Sequence, residues 1–425
     1  MRLLIINEVC GHTSTGKICG KIADEYASRG WTVKIAYGRD GYVPEQCQKY
    51  AYRIGNDLDV KIAATECRLF DNAGFSNKRS TRKFVQWAEE WKPDLVWLHN
   101  LHGYYINVEL LFEWLKKNPK IEKRWTLHDC WSFTGHCVHF SMINCKRWES
   151  HCYHCPQKRK YPVSYLLDRS YKNFDRKKSL FTGVENLTII TPSQWLADLV
   201  KNSYLQGYPV HVVNNSIDKT IFKPTPSDFR DRYDLNNKTV ILGVANAWDE
   251  RKGLADFYKL AKLLDERYAI VLVGLSNKQI RDLSKNIIGF KQSKNEGATI
   301  YYAVDKVMDS SAIKGREMTQ KETRTCETSF DIHKQTVRKG VEKVICISKT
   351  KDQVELAKIY SAADIFVNLT YEDNYPTVNL EARACGKNVI TYDSGGCRET
   401  VTPNELCETG DLNQVLEKIK RLNID

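Results

Sequence analysis

Ile365-Phe-Val-Asn-Leu-Thr-Tyr-Glu-Asp-Asn-Tyr-Pro-Thr-Val-Asn-Leu-Glu-Ala-Arg-Ala-Cys-Gly386 reads as a short buried strand, a turn and a helix. The strand is the unbroken apolar run from Ile365. Pro376 and Thr377 open the helix, and Gly386 ends it. Working outward, the same kind of apolar run recurs toward the amino terminus at Leu3–Ile6, Val33–Tyr37, Leu95–Leu98, Arg124–Leu127, Leu187–Thr191 and Val210–Val213. A second series comprises Val240–Ala245, Ala269–Val273, Val344–Ile347, Ile365–Asn368 and Val389–Tyr392. Between the runs lie amphipathic stretches such as Val108–Lys117, Leu254–Leu264 and Asp352–Tyr360. Continuous apolar strands alternating with helices imply parallel sheets covered on both faces. The expected class is α/β, with two doubly wound domains.

The boundary is expected in Val212-Val-Asn-Asn-Ser-Ile-Asp-Lys-Thr-Ile-Phe-Lys-Pro-Thr-Pro226, where Asn, Asp and two Pro interrupt the periodicity. This gives domains at 1–216 and 217–425, with a hinge at Ile217–Thr225. In such sheets ligands sit at the carboxyl ends of strands, so a cleft facing both domains is the expected site. From Lys291 to Glu342 charge is dense and no period is sustained. That segment is expected as a solvated insertion in the second domain. Its flanks, Ile287–Glu296 and Val344–Gln353, resemble each other, and only one of them need occupy the sheet.

The 425 residues are 42% hydrophobic and 27% charged, an ordinary globular composition that excludes a disordered chain, collagen and a small disulfide scaffold. No apolar stretch reaches the ~18 residues of a spanning helix, and the opening Met1-Arg-Leu-Leu-Ile-Ile-Asn-Glu8 is too brief for a signal-peptide core. The expectation is a cytoplasmic protein. The 14 Cys are then mostly thiols, and Cys19, Cys67, Cys346 and Cys385 read as small core residues. The net charge of +12 favours anionic partners, among them phosphorylated small molecules and an anionic membrane surface. Nucleic acid is not expected, because the basic residues are dispersed among acids without an RNA-binding aromatic motif.

Three strand-end loops carry the chemistry. Gly11-His-Thr-Ser-Thr-Gly-Lys-Ile18 approaches a phosphate-binding loop, but Ile18 replaces the hydroxyl that would hold magnesium. What remains is a small-residue entry to a helix near Gly16, read as an anion site or as a tight turn that needs Gly for steric reasons. Asn246-Ala-Trp-Asp-Glu-Arg-Lys-Gly253 puts Arg251 and Lys252 at a helix N-terminus, against the usual dipole preference. A diphosphate between the cations and the helix would explain them. In the quoted stretch, Glu372 or Asp373 pairs with Glu381 around the N-terminus opened by Thr377 and Val378. His128, at the end of the run through Leu127, puts an imidazole at the cleft, with His99 and His102 in a neighbouring strand-end loop.

Between His136 and Cys155 stand Cys137, Cys145, Cys152 and Cys155. Four thiolates suit tetrahedral zinc bracing a loop that lacks its own core. Plain thiols, or a redox pair in Cys152–Cys155, are the alternatives.

Taken together, these motifs resemble the retaining family 4 glycosyltransferases of GT-B architecture, of the kind that build bacterial exopolysaccharide, O-antigen or colanic acid. The residues that carry the resemblance are the Gly16 loop, Leu98–Tyr105, Thr126–Asp129, Thr191–Val200, Asn214–Asp218, Glu250–Gly253 and the acid pair. It covers nearly everything except Lys291–Glu342. It implies two Rossmann-like domains facing a central cleft, an acceptor side in the first and a nucleotide-sugar site in the second. The expected donor is a UDP-, GDP- or ADP-sugar and the acceptor a glycan or lipid-linked oligosaccharide. No catalytic metal is implied, and the enzyme would work in the cytoplasm or at the inner face of the membrane. In that family an acid, seven intervening residues and a Glu bind the donor sugar and ribose. Asp373 and Glu381 satisfy the spacing, whereas Glu372 and Glu381 do not. Lys252 carries over as diphosphate ligand. The family's Arg falls on Ala247, with Arg251 the available substitute, and His128 would contact the donor sugar. A catalytically weak glycan- or nucleotide-binding relative, and a P-loop NTPase, are the competing functions.

Overall fold

A computed structural model describes residues 1–286, 290–295, 298–303, 341 and 343–422. The chain forms two compact units. The first is Met1–Asn215 with Glu372–Pro376 and Ser394–Thr400, and the second is Ser216–Tyr371 with Thr377–Asp393 and Val401–Asp425.

The first unit's sheet contains β1 (Arg2–Ile6), β2 (Thr32–Tyr37), β3 (Ala51–Arg53), β4 (Leu95–Leu98), β5 (Glu122–Thr126), β6 (Leu187–Thr191) and β7 (Val210–Val212). All seven are parallel, in the order β3-β2-β1-β4-β5-β6-β7. β1 explains why the apolar runs are unbroken. Leu4 and Ile6 enter one core with Val96, Leu98 and Trp125, while Leu3 and Ile5 enter another with Cys19, Ala23 and Ile35. Successive side chains point to opposite faces, so a strand covered on both sides has no polar positions. Each buried aliphatic side chain contributes about 1.5–3 kcal/mol. The order reverses between β1 and β4, which makes their carboxyl ends the switch point of this sheet.

The second unit's sheet contains β8 (Thr239–Val244), β9 (Tyr268–Val273), β10 (Phe290–Asn295), β11 (Ala298–Ala303), β12 (Lys343–Ile347), β13 (Ile365–Asn368), β14 (Asn388–Tyr392) and β15 (Leu406–Cys407). Their order is β10-β11-β12-β9-β8-β13-β14-β15. It is parallel from β12 to β15, with β10 and β11 added antiparallel at one edge. Ile270 and Leu272 of β9 face one core, and Ala269, Val271 and Val273 the other. Here the switch point lies between β8 and β13.

One expectation is corrected by this sheet. Both similar flanks of the charged segment occupy it, as β10 and β12, and β11 pairs with each. Residues 290–295 and 298–303 therefore extend the sheet instead of belonging to a solvated excursion. An antiparallel edge pair meets the backbone hydrogen-bonding demand without a long apolar run, so it escapes a search for buried parallel strands. The rest of the expected insertion, 304–340, lies outside the described residues. The expected hinge has no regular secondary structure, and Phe222 within it packs into the second unit's core.

Candidate functional site

In the second unit, the loops that follow β8 and β13 are tied together at the switch point. Tyr371 N donates to the Arg251 carbonyl at 2.7 Å, and Thr370 Oγ1 donates to the same oxygen at 3.1 Å. Asp249 caps the short turn Glu250–Lys252, its Oδ1 accepting from Lys252 N at 3.0 Å. Gly253 closes that turn at φ +72°, where an added Cβ would stand 2.0 Å from the Leu369 carbonyl oxygen. Only glycine meets both the left-handed backbone and the close approach. Helix Leu254–Leu263 begins at the next residue, so Arg251 and Lys252 are held at its N-terminus.

Helix Thr377–Ala384 leaves the loop after β13, with Thr377 and Val378 as its first two residues. A buried bond from Asn368 Nδ2 to Asn379 Oδ1, 2.9 Å, fixes the helix to its own strand. Glu381 lies one turn in, its Oε2 accepting from the Tyr360 hydroxyl at 3.0 Å. The second unit thus brings together Arg251, Lys252, Thr377, Val378 and Glu381 on two loops and two helix starts at one end of one sheet.

The other predicted residues belong to the first unit. Glu372 is fully buried, and its oxygens accept from Phe140 N and Met142 N, both at 3.0 Å, with His139 Nδ1 at 3.7 Å. Burial opposes its charge, but His139 and the backbone N–H groups of Met142 and Ser141 hold its carboxyl below the ordinary range. The Glu372 carboxylate thus anchors the Cys-rich loop. Asp373, next in sequence, has its carbonyl fixed by Gly396 N at 3.0 Å. Asn374 donates to the His128 carbonyl at 3.2 Å and accepts from Ser193 Oγ at 2.5 Å. Glu399 accepts from Gln194 N and Trp195 N, at 2.7 and 2.8 Å, at the start of helix Gln194–Lys201.

Gly16 is the fourth residue of helix Thr13–Ser28 and is buried. A Cβ there would meet Val9 Cγ2 at 3.0 Å and Gly11 N at 3.3 Å. Of the two readings of this glycine, the steric one has direct structural support.

His128 Nε2 lies 3.0 Å from His99 Nδ1 in a near-parallel stack. Burial, the largest cause, lowers His128 to about 4 and takes His99 well below the ordinary histidine range. Both rings are neutral near pH 7. His102 has the opposite sign: burial opposes its charge, but Asp129 at 2.8 Å keeps its pKa raised, while Asp129 itself is lowered to about 2. Tyr161 completes that cluster, 3.1 Å from His102 Nδ1. Sequence reasoning missed the anchoring roles of Asn374 and Glu399. Asn374 stood inside the quoted loop, but Glu399 had no local signal.

These shifts give a pH dependence. A histidine whose folded pKa is depressed contributes stability that is complete above its unfolded value of ~6.5 and is lost as pH falls through the folded value. Between pH 7 and 5 the His99–His128 pair should therefore lose its contribution. His128→Asn should remove that component of the pH dependence of melting, measured by calorimetry across the interval; an unchanged slope would contradict the neutral pair.

Cys137, Cys145, Cys152 and Cys155 line one cavity of about 10 Å³ together with Phe140 and Trp148. Among the described residues no group of three or more His, Cys, Asp or Glu is placed so that it could hold a metal ion. A cavity of about 650 Å³ beside helix Gln353–Ala362 is lined by Arg232, Lys349, Lys351 and Lys358 and by none of the predicted site residues. Among the described residues no helix is long and apolar enough to cross a membrane.

Comparison with known proteins finds likenesses of sequence and of fold. Residues 327–425 match the family described as Glycosyl transferases group 1. Over 190 residues the chain is 33% identical to the putative colanic acid biosynthesis glycosyl transferase WcaC of Escherichia coli K12, covering 43% of this chain and 45% of that protein. The match thus spans less than half of that relative's length. Sucrose-phosphate synthase of Thermosynechococcus elongatus superimposes with a TM-score of 0.63 at 15% identity, covering 100% of this chain and 90% of that one. HepE of Anabaena in complex with UDP gives 0.60 at 15% identity, with 100% and 90% coverage. An E. coli structure titled trehalose-6-phosphate and bound with UDP-2-fluoro glucose gives 0.59 at 12% identity, with 100% and 91% coverage. At these identities the likeness concerns the fold: α/β, with two Rossmann-like parallel-sheet domains, as in GT-B glycosyltransferases.

Proposed function

We propose that the chain transfers a sugar, with retention of configuration, from a nucleoside-diphosphate-sugar to a glycan or lipid-linked glycan in the synthesis of a surface polysaccharide. The observation that carries this reading is the junction at the second unit's switch point. There the backbone of the Arg251–Lys252 turn is tied, through the Arg251 carbonyl, to the loop that leads into the helix bearing Glu381. The match to a colanic acid biosynthesis glycosyl transferase supports the substrate class, and UDP in a structure of the same fold makes a UDP-sugar the first donor to try. The net charge of +12 supports peripheral contact with an anionic membrane surface, where a lipid-linked acceptor would be found.

Glycosyl transfer develops negative charge on the departing diphosphate and positive charge at the anomeric carbon. Lys252, assisted by Arg251, offsets the first together with the free N–H groups at the start of helix Thr377–Ala384. Glu381, aimed by Tyr360, accepts from the ribose hydroxyls. Asp373 holds sugar hydroxyls and so orients the anomeric carbon, and neutral His128 is suited to a hydrogen bond with the sugar without repelling the positive charge. Thermal shift of the purified chain against UDP-, GDP- and ADP-sugars tests the reading. One nucleotide class at ~100 times its Kd should stabilise by about 2.7 kcal/mol. No shift with any donor at millimolar concentration would contradict it.

A further inference from the structure

One stretch of the first unit's surface carries apolar side chains that neither its core nor the transfer reaction uses. Helix Asp57–Phe70 buries Ala63 and Cys67 on its inner face. Leu58, Ile62 and Leu69 follow one another at spacings of four and seven residues, which sets them in a single stripe on the opposite side. All three are exposed, Leu58 by 63%. The stripe continues past the end of the helix. Phe70 is exposed, and the backbone of Tyr165–Leu167 is laid against the last turn, where Tyr165 N donates to the Arg68 carbonyl at 2.7 Å and Leu167 N to the Leu69 carbonyl at 3.1 Å. These bonds satisfy carbonyls that a helix end leaves free. They ask nothing of the loop's side chains, yet Tyr165, Leu166 and Leu167 are all large, apolar and exposed, Leu166 by 63%. Apolar side chains clustered in this way on a surface mark a contact.

The charge beside the stripe identifies the kind of partner. Arg68 and Arg159 are exposed, Lys158 Nζ donates to the Leu166 carbonyl at 3.3 Å, and the Arg169 guanidinium lies 5.7 Å from the centroid of the Phe70 ring. The acids of the same segments are engaged within the fold. Asp57 pairs with Arg53, and Asp59 closes the capping box of the helix. Glu66 accepts from Ser76 Oγ at 2.6 Å, buried Asp71 from Arg169 N at 2.8 Å, and Asp168 from Cys155 N at 2.6 Å. A second copy meeting this face about a two-fold axis would bring the same cations together, which is repulsive. Anionic lipid headgroups supply the opposite charge, and their acyl chains the apolar contact.

We propose that the outer stripe of helix Asp57–Phe70, with the loop Tyr165–Leu167, docks on an anionic lipid bilayer. The Leu, Ile and Phe side chains enter the boundary of the acyl region, and Tyr165 keeps its hydroxyl at the headgroup level. Arg68, Lys158, Arg159 and Arg169 meet the lipid phosphates. The proposal names the face that makes the peripheral membrane contact proposed above, and it rests on that reading. Docking of this kind lies on the surface and needs no spanning helix.

Co-sedimentation of the whole chain with vesicles tests it. Neither donor nor acceptor is present, so a failure of docking and a failure of sugar transfer are read apart. Binding to phosphatidylcholine vesicles that contain phosphatidylglycerol is expected, weakening by about tenfold or more on phosphatidylcholine alone and falling as salt is raised. Ile62→Glu and Leu166→Glu change exposed side chains, so both should melt and bind nucleotide like the parent while their vesicle partition falls by about tenfold or more. Arg159→Glu should weaken partition by about fivefold or more, and with the salt dependence of the parent it remains a measure where an apolar variant folds poorly. Parent protein left in the supernatant with anionic vesicles at low salt would overturn the proposal, as would parent-like partition of folded Ile62→Glu and Leu166→Glu. A parent dimer that both variants dissociate would give the face to a second copy, and would overturn it as well.

Discussion

Lys252→Ala should lower sugar transfer by about 100-fold or more, the size of effect seen when one preorganised group facing developing charge is removed. The ammonium matters most as the diphosphate departs. The loss should therefore fall mainly on kcat, with a smaller rise in donor KM. The fold should be indifferent, because the backbone N of Lys252 keeps its bond to Asp249 and the carbonyl of Arg251 keeps Tyr371 and Thr370. A melting temperature matching the parent's, together with the kinetic loss, is the expected pair of results. Transfer at the parent rate would remove Lys252 from the reaction.

Glu372→Ala should have the largest effect on stability. It removes the acceptor of the buried Phe140 N–H and of the part-buried N–H of the exposed Met142. Leaving the buried group unsatisfied costs about 1–3 kcal/mol, and a loss of that size is expected, read as a lower calorimetric transition or as cleavage at Lys146 by trypsin. Because this carboxyl is held below its ordinary range, its contribution is complete above the unfolded pKa and fades as pH falls through the folded one. The difference between parent and variant should shrink in acid. A variant as stable as the parent at pH 7 would mean that the anchor contributes nothing.

The central parallel strands were legible because they are buried on both faces and so write unbroken apolar runs, as in Leu3–Ile6 and Ala269–Val273. β3 and β15 have three and two residues, too few to leave a pattern. β10, with two Lys, a Gln, a Ser and an Asn in six residues, reads as solvated chain, and its place comes from backbone pairing with β11. At the candidate site, Lys252, Glu381 and His128 stand out in the sequence because each lies just after a strand in a segment of distinctive composition. The anchoring contacts of Glu372 were not legible for a physical reason. Its partners Phe140 and Met142 are more than 200 residues away in sequence, and their backbone N–H groups carry no residue-specific signal. The same holds for Glu399, which serves the N–H groups of Gln194 and Trp195.

The central claim is that the second unit's switch point binds the donor nucleotide through Glu381. Titration calorimetry of the parent and of Glu381→Gln with the stabilising nucleoside diphosphate tests it most directly. The substitution keeps the side chain's size but turns an acceptor for the ribose hydroxyls into a partial donor. The account predicts a Kd weakened by about tenfold or more, corresponding to about 1.4 kcal/mol, in a variant that melts like the parent. Equal affinities for parent and variant would contradict it.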